Sequence, residues 1–509
     1  MIGRSKSSAH RLLQAQEQRN AHPESSHWET EAGYAWLRLM VFATLYQFGL
    51  KSGVGAEALS QFFKTIRIDG HVGVSPTVLR EQITQLEHLL PQYQAECENS
   101  ITQQTRKIVA GLDETFFGDF MILVLMDLRS GYLLLEEITE DRCFDTWYAK
   151  TTPRLESLGI EVSHAISDRA KALIKMAVSG FCCESGADVF HAQQDPSRWL
   201  GARLGKRISQ AEKALEILQI AKDKALKKGD EAALRSLETD KITAEQTLGA
   251  ARQSQQDYHE NLQGISDEVH PFSVLDNSVN NAEKIVQRLE GRAQAFEALA
   301  EDQGIADHNN TLKKLRNQFG ALAVSVSFWW LWVHETLLKL GEEGSELGQW
   351  LTTTLLPVTY WHHKVRQTKN RKTKDKYLKA WKSATAAFKA HPLSAQLPTS
   401  EIQRWLLWAE SMSRQFQRSS SAVEGRNGCL SQMYHKGRGL SGKRLKALTV
   451  IHNYDIKRED GTTAAMRLFN TEFPDLFLWG LDRMGDLPLP RKSRERRTFN
   501  SLSLLDVPS

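Results

Sequence analysis

A change of period near residue 105 constrains this chain more than any other feature. Upstream, apolar residues recur at helical spacing. Then Lys107-Ile-Val-Ala-Gly-Leu-Asp-Glu-Thr-Phe-Phe117 reads as a buried strand, residues 108–112, that gives out at an acid, Asp113. Phe120-Met-Ile-Leu-Val-Leu-Met-Asp127 is apolar throughout, as a strand covered on both faces is. Arg129-Ser-Gly131 makes a tight turn into Tyr132-Leu-Leu-Leu-Glu-Glu-Ile138, so the second and third strands form an antiparallel hairpin. A helix over 141–158, a strand over 160–166, a helix over 169–181 and a strand Ala187-Asp-Val-Phe-His191 follow. The order β-β-β-α-β-α-β predicts an α/β core on one mixed five-stranded sheet.

Two acids stand at the ends of strands in this core. Asp113 follows the first strand, and Asp168 follows the fourth in Val162-Ser-His-Ala-Ile-Ser-Asp168. A third acid, Glu424, lies far downstream in a polar helical segment, Ser419-Ser-Ser-Ala-Val-Glu-Gly-Arg-Asn427. Carboxylates from separate elements are the ligands that hard divalent cations take, and a few suffice for Mg²⁺, which keeps several waters. Glu114, one residue past Asp113 along a strand, points to the opposite face.

The 256 residues between Asp168 and Glu424 exceed what one helix-strand unit needs, so something is inserted. Residues 196–226 and 231–262 are long polar helical stretches joined at Lys227-Lys-Gly-Asp230, with an apolar seam at Leu204, Ile208, Ala211 and Leu215. They predict an antiparallel helical hairpin. Further helices are expected at about 277–302 and 310–340. The run Phe328-Trp-Trp-Leu-Trp-Val333 is too short to span a bilayer, which takes about 20 residues. It reads as helical core, with a wedge beside an extruded base as the alternative.

Upstream, Gly55-Ala-Glu-Ala-Leu-Ser-Gln-Phe-Phe-Lys-Thr-Ile66 and a helix opened by Ser75-Pro76 suit either a helix-turn-helix or a plain helical hairpin. Arg80 is the best DNA-facing side chain of the second helix.

The order of elements, with acids ending the first and fourth strands, resembles the RNase-H-like core of DDE transposases and retroviral-type integrases. Ser167-Asp-Arg-Ala-Lys-Ala-Leu173 is similar to the Asp motif of bacterial insertion-sequence transposases. So is Ser421-Ala-Val-Glu-Gly-Arg-Asn427 followed by Gly437-Arg-Gly-Leu-Ser441 to their Glu motif. The resemblance covers about a third of the chain, and some DDE transposases carry an all-helical insertion before the Glu-bearing helix.

It implies domains as follows: a flexible arm over 1–30, a helix-turn-helix-like DNA-binding domain over 31–98, and an RNase-H-like core over 105–200 and 401–480. An all-helical insertion over 201–400 interrupts that core, and a basic tail over 481–509 ends the chain. It also implies a catalytic and metal-binding triad of Asp113, Asp168 and Glu424. These would hold two Mg²⁺ ions, replaceable by Mn²⁺, that activate a nucleophile and stabilise the leaving oxygen of a phosphodiester.

Candidate DNA contacts are Arg80, Arg169, Lys171, Arg426 and Asn427. Lys369, Arg371, Lys372 and Lys374 join them, in a basic stretch with aromatics nearby. His191 and Ser431 are accessory candidates. The expected reaction binds the terminal inverted repeats of a mobile element, cuts its ends and joins the 3′-hydroxyls to target DNA. The partners are then DNA and a second copy of the chain in a homodimer or higher assembly.

The bulk properties allow this reading. A formal net charge of +4 leaves nucleic-acid binding to local patches. Five cysteines with no Cys-x-x-Cys argue against a disulfide framework or a structural zinc, and Cys182-Cys183 reads as core thiols. Met1-Ile-Gly-Arg-Ser-Lys has no apolar targeting core, so a soluble, cytoplasmic bacterial protein, associated with the nucleoid when acting and with no membrane partner, is expected. The competing readings are a domesticated transposase that only binds DNA, an RNase-H-like nuclease without strand transfer, and a helical scaffold in which the acids are incidental.

Overall fold

The computed structural model describes residues 21–490 apart from 103, 119 and 436–438, together with positions 10, 13, 14 and 17. The expected N-terminal arm before residue 21, most of it, and the basic run Arg491-Lys-Ser-Arg-Glu-Arg-Arg497 lie outside the described residues. The chain forms two compact units, one of residues 102–428 and one of 1–101 with 429–509.

The first of these units holds a single mixed sheet of five strands. They are β1 (Arg106–Phe117), β2 (Phe120–Asp127), β3 (Leu133–Thr139), β4 (Ile160–Ser167) and β5 (Glu184–Ala187), in the order β3-β2-β1-β4-β5. β1 and β2 pair antiparallel, as do β2 and β3, whereas β4 runs parallel to both β1 and β5. The hairpin turn is fixed by Asp127, whose carboxylate accepts from the backbone N–H (2.9 Å) and hydroxyl (2.6 Å) of Ser130. The mixed sheet with helical regions was legible in the sequence; several boundaries were not.

β1 does not stop at Asp113. Thr115-Phe-Phe117 favours extended backbone and carries the ladder with β2 to its turn, pairing Phe117 with Phe120. The pairing with β4, however, ends at Gly111–Ile166. Asp113 thus sits where β1 parts from one neighbour while still bonded to the other. Asp168 follows directly on the last residue of β4, Ser167, just past the end of that pairing.

The fifth strand also differs. It is the short Glu184–Ala187, and Asp188 then caps a helix, Val189–Pro196, by accepting from the N–H of Phe190 at 2.8 Å. His191 is therefore on a helix and not at a strand end. The helix expected over 169–181 is a short Lys171–Lys175 continued by a wider turn, Met176–Gly180. Cys182 is exposed and Cys183 only partly buried, so the pair is not a core element.

The helical insertion follows. Ala202–Lys228 and Glu231–Glu268 form the antiparallel hairpin, closed by Gly229 in the left-handed region. Ala282–Asp302, Phe319–Leu340, Leu356–Gln367, Arg371–Ala390 and Thr399–Gln415 pack around an aromatic core. There Trp329 and Trp330 meet Phe272 edge-on (5.9 and 5.5 Å), and Trp329 also packs against Phe416. Those tryptophans are core, as expected. Thr311–Leu340 is the one described helical stretch long and apolar enough to cross a membrane by length and composition, and Trp329, Val333 and Leu337 on it are buried. Phe328 on the same helix stacks on His164 of β4 at 5.1 Å, fastening the insertion to the sheet.

In the second unit, Pro76–Asn99 is the spine. Ser75 caps it with Pro76 in its first turn, and Leu79, Leu86, Leu90 and Tyr93 are buried. Glu31–Ala43 and Ala56–Thr65 precede it, and Gly442–Tyr454 and Leu476–Arg483 return to this unit from the C-terminal end. Arg444 donates to the carbonyls of Gly49 (3.0 Å) and Leu50 (3.3 Å). Residues 401–480 are accordingly not one block: the chain passes from one unit to the other part-way along the helix that carries Glu424.

That helix, Ser421–Met433, lies close against the sheet because β1 has no side chain at Gly111. A Cβ there would meet Leu128 at 2.5 Å and Val423 at 3.0 Å. Gly111→Val should lower the free energy of unfolding by about 1–3 kcal/mol through overpacking. Gly425→Ala, where nothing lies within 4 Å of the new methyl, should instead raise it by about 0.4–1 kcal/mol. Urea denaturation of the two variants checks both signs.

Candidate metal centre

Three side chains that no local segment brings together meet on one face of the sheet. Asp113, His191 and Glu424 each offer one ligand atom, and these atoms lie within 4.8 Å of one another. Asp113 comes from β1, His191 from the helix after β5, and Glu424 from Ser421–Met433. His191 Nε2 is 3.1 Å from Glu424 Oε1. The buried Asp113 carboxylate accepts from the N–H of Glu114 on one oxygen (2.9 Å) and from Asn427 Nδ2 on the other (2.7 Å).

Three buried polar contacts assemble this face, and none was read from the sequence. Asp188 is almost wholly enclosed; one oxygen caps the His191 helix, and the other accepts from the N–H (3.1 Å) and hydroxyl of Ser420. It therefore ties the start of the Glu424 helix to the start of the His191 helix. Arg426 donates through Nε and Nη2 to the two oxygens of Glu136, both at 2.7 Å. Both side chains are out of water, at 5% and 0% exposure. Glu136 faces Val124, which faces Asp113, so the Glu424 helix is anchored two strands away from the acid it approaches. Asn427 is the third contact, one residue on. A sequence signal existed for one of them: a charged pair, Glu136-Glu137, in an otherwise apolar strand demands a buried cation.

Electrostatics follow from this geometry. Burial raises the Asp113 pKa to about 7, with the Glu424 and Asp168 carboxylates adding to the rise, while the Glu114 N–H and His191 oppose it. Glu114 points away, as the pleat requires, and accepts from Arg142 (2.8 Å) and the Trp147 indole (3.4 Å).

The remaining predicted residues are placed differently. Asp168 is exposed, accepts from the N–H of Ala170 at 2.9 Å, and stands beside the cluster, outside it. Arg169 turns its guanidinium back onto the carbonyl of Ser185 (2.7 Å), and Lys171 is exposed. Arg426 and Asn427, expected to touch DNA, are buried and engaged with Glu136 and Asp113, because a helix laid on a sheet turns one face inward. Ser431 continues along the same helix. Arg80 is exposed and paired with Glu57.

Lys369, Arg371, Lys372 and Lys374 are exposed, and among the described residues no acid lies within ion-pair distance of them. Lys364 of the same basic stretch is instead turned inward, its ammonium 5.5 Å from the Tyr360 ring and 5.4 Å from Phe416.

The fold and site together define an α/β protein with a carboxylate–imidazole cluster over the central strand of a mixed sheet and a large helical insertion. A family model described as a family of unknown function, DUF6399, matches residues 351–496, which takes in the basic stretch and the Glu424 helix. No curated protein matches the chain.

Two outcomes test the site's construction. Arg426→Met should cost about 3–5 kcal/mol of stability by stranding the Glu136 charge, while Glu136→Met with Arg426→Leu should fold with near wild-type stability; urea denaturation separates them. The second concerns Asp113 in chelator. Its folded pKa lies above its unfolded one, so below about pH 4 both states hold the proton. Between about 4 and 7 only the folded state keeps it, and stability falls as pH rises. The stability gain of Asp113→Asn over wild type should therefore grow across that window and level off above it. Thermal unfolding from pH 4 to 9 in EDTA measures the gap.

Proposed function

We propose that this chain is a DNA transposase with an RNase-H-like core. It would bind the terminal inverted repeats of a mobile element, cut its ends and join the freed 3′-hydroxyls to target DNA. The observation that carries the reading is the meeting of Asp113, Glu424 and His191 on a β3-β2-β1-β4-β5 sheet, with the Asp168 carboxylate close enough to act on the Asp113 charge. Sheet edges where neighbouring strands part are where open α/β folds bind ligands.

The donors fit a divalent cation. Two carboxylates suit Mg²⁺ or Mn²⁺, and an imidazole is tolerated better by Mn²⁺. A carboxylate as enclosed as Asp113 gains most from a neighbouring positive charge. Bound there, such ions would supply charge to polarise a phosphoryl oxygen and to acidify a water. Asp113 and Glu424 would hold one ion and Asp168 would complete a second site, in keeping with a two-ion reading.

The chain's own residues do the rest. Asn427 holds Asp113 in one rotamer. Asp188 holds Glu424 and His191 in register. His191, 3.1 Å from Glu424, orients that carboxylate or takes a proton at Nε2. Lys369, Arg371, Lys372 and Lys374 are exposed charges suited to DNA phosphates, as is Lys171, three residues after Asp168 in the chain. DNA ends and target, and a second copy of the chain, are the partners in this reading. Its setting is the bacterial cytoplasm at the nucleoid. The rivals are a domesticated protein that binds DNA without cutting and a nuclease that cuts without joining.

The test is cleavage and joining of DNA carrying the element's own flanking ends, with Mg²⁺ or Mn²⁺. Asp113→Asn, Asp168→Asn and Glu424→Gln should each lower the rate by at least about a thousandfold while leaving gel-shift binding intact. His191→Ala should lower it by about 10–100-fold, as loss of an orienting partner does. Full activity in any of the three acid variants removes that acid from the site. Binding without cutting under either metal supports the domesticated protein, and cutting without joining supports the nuclease.

A further inference from the structure

The helical hairpin is built as two oppositely charged halves. Ala202–Lys228 carries eight Lys and Arg against three acids, a net +5. Glu231–Glu268 carries three against eight, a net −5. Such a division exceeds what the hairpin itself uses: only Lys222–Glu238 (2.5 Å) and Arg252–Glu212 (3.0 Å) are ion pairs between the two helices among the described residues.

The hairpin is also short of apolar cover. Between residues 209 and 247 only Ala211 and Ala225 are buried, while Ile217, Ile220 and Ile242 are 67%, 50% and 53% exposed. A helix pair of this length gains its stability from packing more than from propensity, so an outer face bearing isoleucines calls for a cover. A shallow groove of about 230 Å³ runs along one side, lined by Ala211, Ala214, Asp240, Thr243, Ala244 and Thr247. Ile217 and Lys224 follow Ala214 at i+3 and i+10, on that same side of the helix.

We infer that the hairpin is an association arm that pairs with the hairpin of a second copy, the basic helix of each lying along the acidic helix of the other. Charge chooses this occupant. A two-fold axis along the hairpin sets +5 against −5 twice over and leaves no like-charged neighbours, which a self-complementary interface requires. Height agrees as well. The pairs Lys222–Glu238 and Glu212–Arg252 set the ladder between the helices. On it Ile217 stands level with the Thr243–Thr247 groove, and Lys224 within a turn of Asp240. Small residues there let the partner's helix approach closely, and Ile217 fills the space. The inference stands apart from phosphodiester chemistry and needs neither DNA nor metal.

The test is sedimentation of the full-length chain without DNA. Reversing Lys213, Lys224 and Lys228 to Glu moves the basic helix from +5 to −1, two charges per change. Reversing Glu231, Asp240 and Glu245 to Lys moves the acidic helix from −5 to +1 and leaves both pairs between the helices in place. All six positions are exposed, so circular dichroism should be unchanged. Wild type should be a dimer. Each variant alone should dissociate at least about tenfold more readily, and an equimolar mixture should recover the dimer, since one then carries two acidic helices and the other two basic ones. A monomeric wild type, a dimer indifferent to either reversal, or a mixture that stays monomeric overturns the inference. Transposition assays are untouched by that result, so its failure and that of the proposed chemistry are read separately.

Discussion

Asp188 is a carboxylate with almost no access to water, and the arrangement of the metal-centre candidates hangs on it. One of its oxygens begins the helix that carries His191, and the other receives the N–H and hydroxyl of Ser420, where the Glu424 helix begins. Its own backbone N–H donates to the carbonyl of Ser167 at 3.0 Å, at the end of β4. One residue thus references three elements to one another across 232 positions of sequence. A charge held this way is stable only while every donor stays in place, so the contact rewards a single geometry and penalises its neighbours. The Arg426–Glu136 pair acts on the same helix from two strands away on the sheet and fixes its rotation. Asn427 can then face Asp113 and cannot face solvent.

The cluster differs in composition from three carboxylates. Asp168 follows the end of β4 but remains in water, bonded to the N–H two residues on. His191 takes the inward place because the chain turns into a helix straight after β5, and three residues into that helix points toward the Glu424 carboxylate.

The apolar logic of the chain was legible. The order of elements along the chain, the hairpin after β2, the helical hairpin and the tryptophan-rich core all follow from period, turn residues and apolar runs. Polar contacts over long sequence distances were not. Nothing local in Asp188 or Arg426 distinguishes a buried clamp from a solvated charge, and Arg426 and Asn427 look like DNA contacts until the face of the helix is known. His191 was misplaced for a related reason. Ala187-Asp-Val-Phe-His191 alternates like a strand, yet Asp188 has a side chain that caps a helix, and the cap prevailed over the alternation. The long insertion was inferred from spacing alone, and its packing against β4 through Phe328 and His164 could not have been.

The insertion also explains how a sheet with such a short edge strand is kept whole. β5, the edge strand, has only four residues and so presents a short unpaired edge. Phe319–Leu340 packs beside it, close enough that a side chain at Gly186 would come within 3.7 Å of the Ala321 carbonyl. Arg418, immediately before the Glu424 helix, donates to the carbonyls of Ser266 and Val269 at the end of the helical hairpin. The insertion is therefore joined to the sheet on the way out, through β5 and Val189–Pro196, and again on the way back, through Arg418. The helices between His191 and Glu424 pack around one buried core and so do the work of a short loop in bringing those two residues together. That is how a separation of 233 positions remains compatible with a 3.1 Å contact.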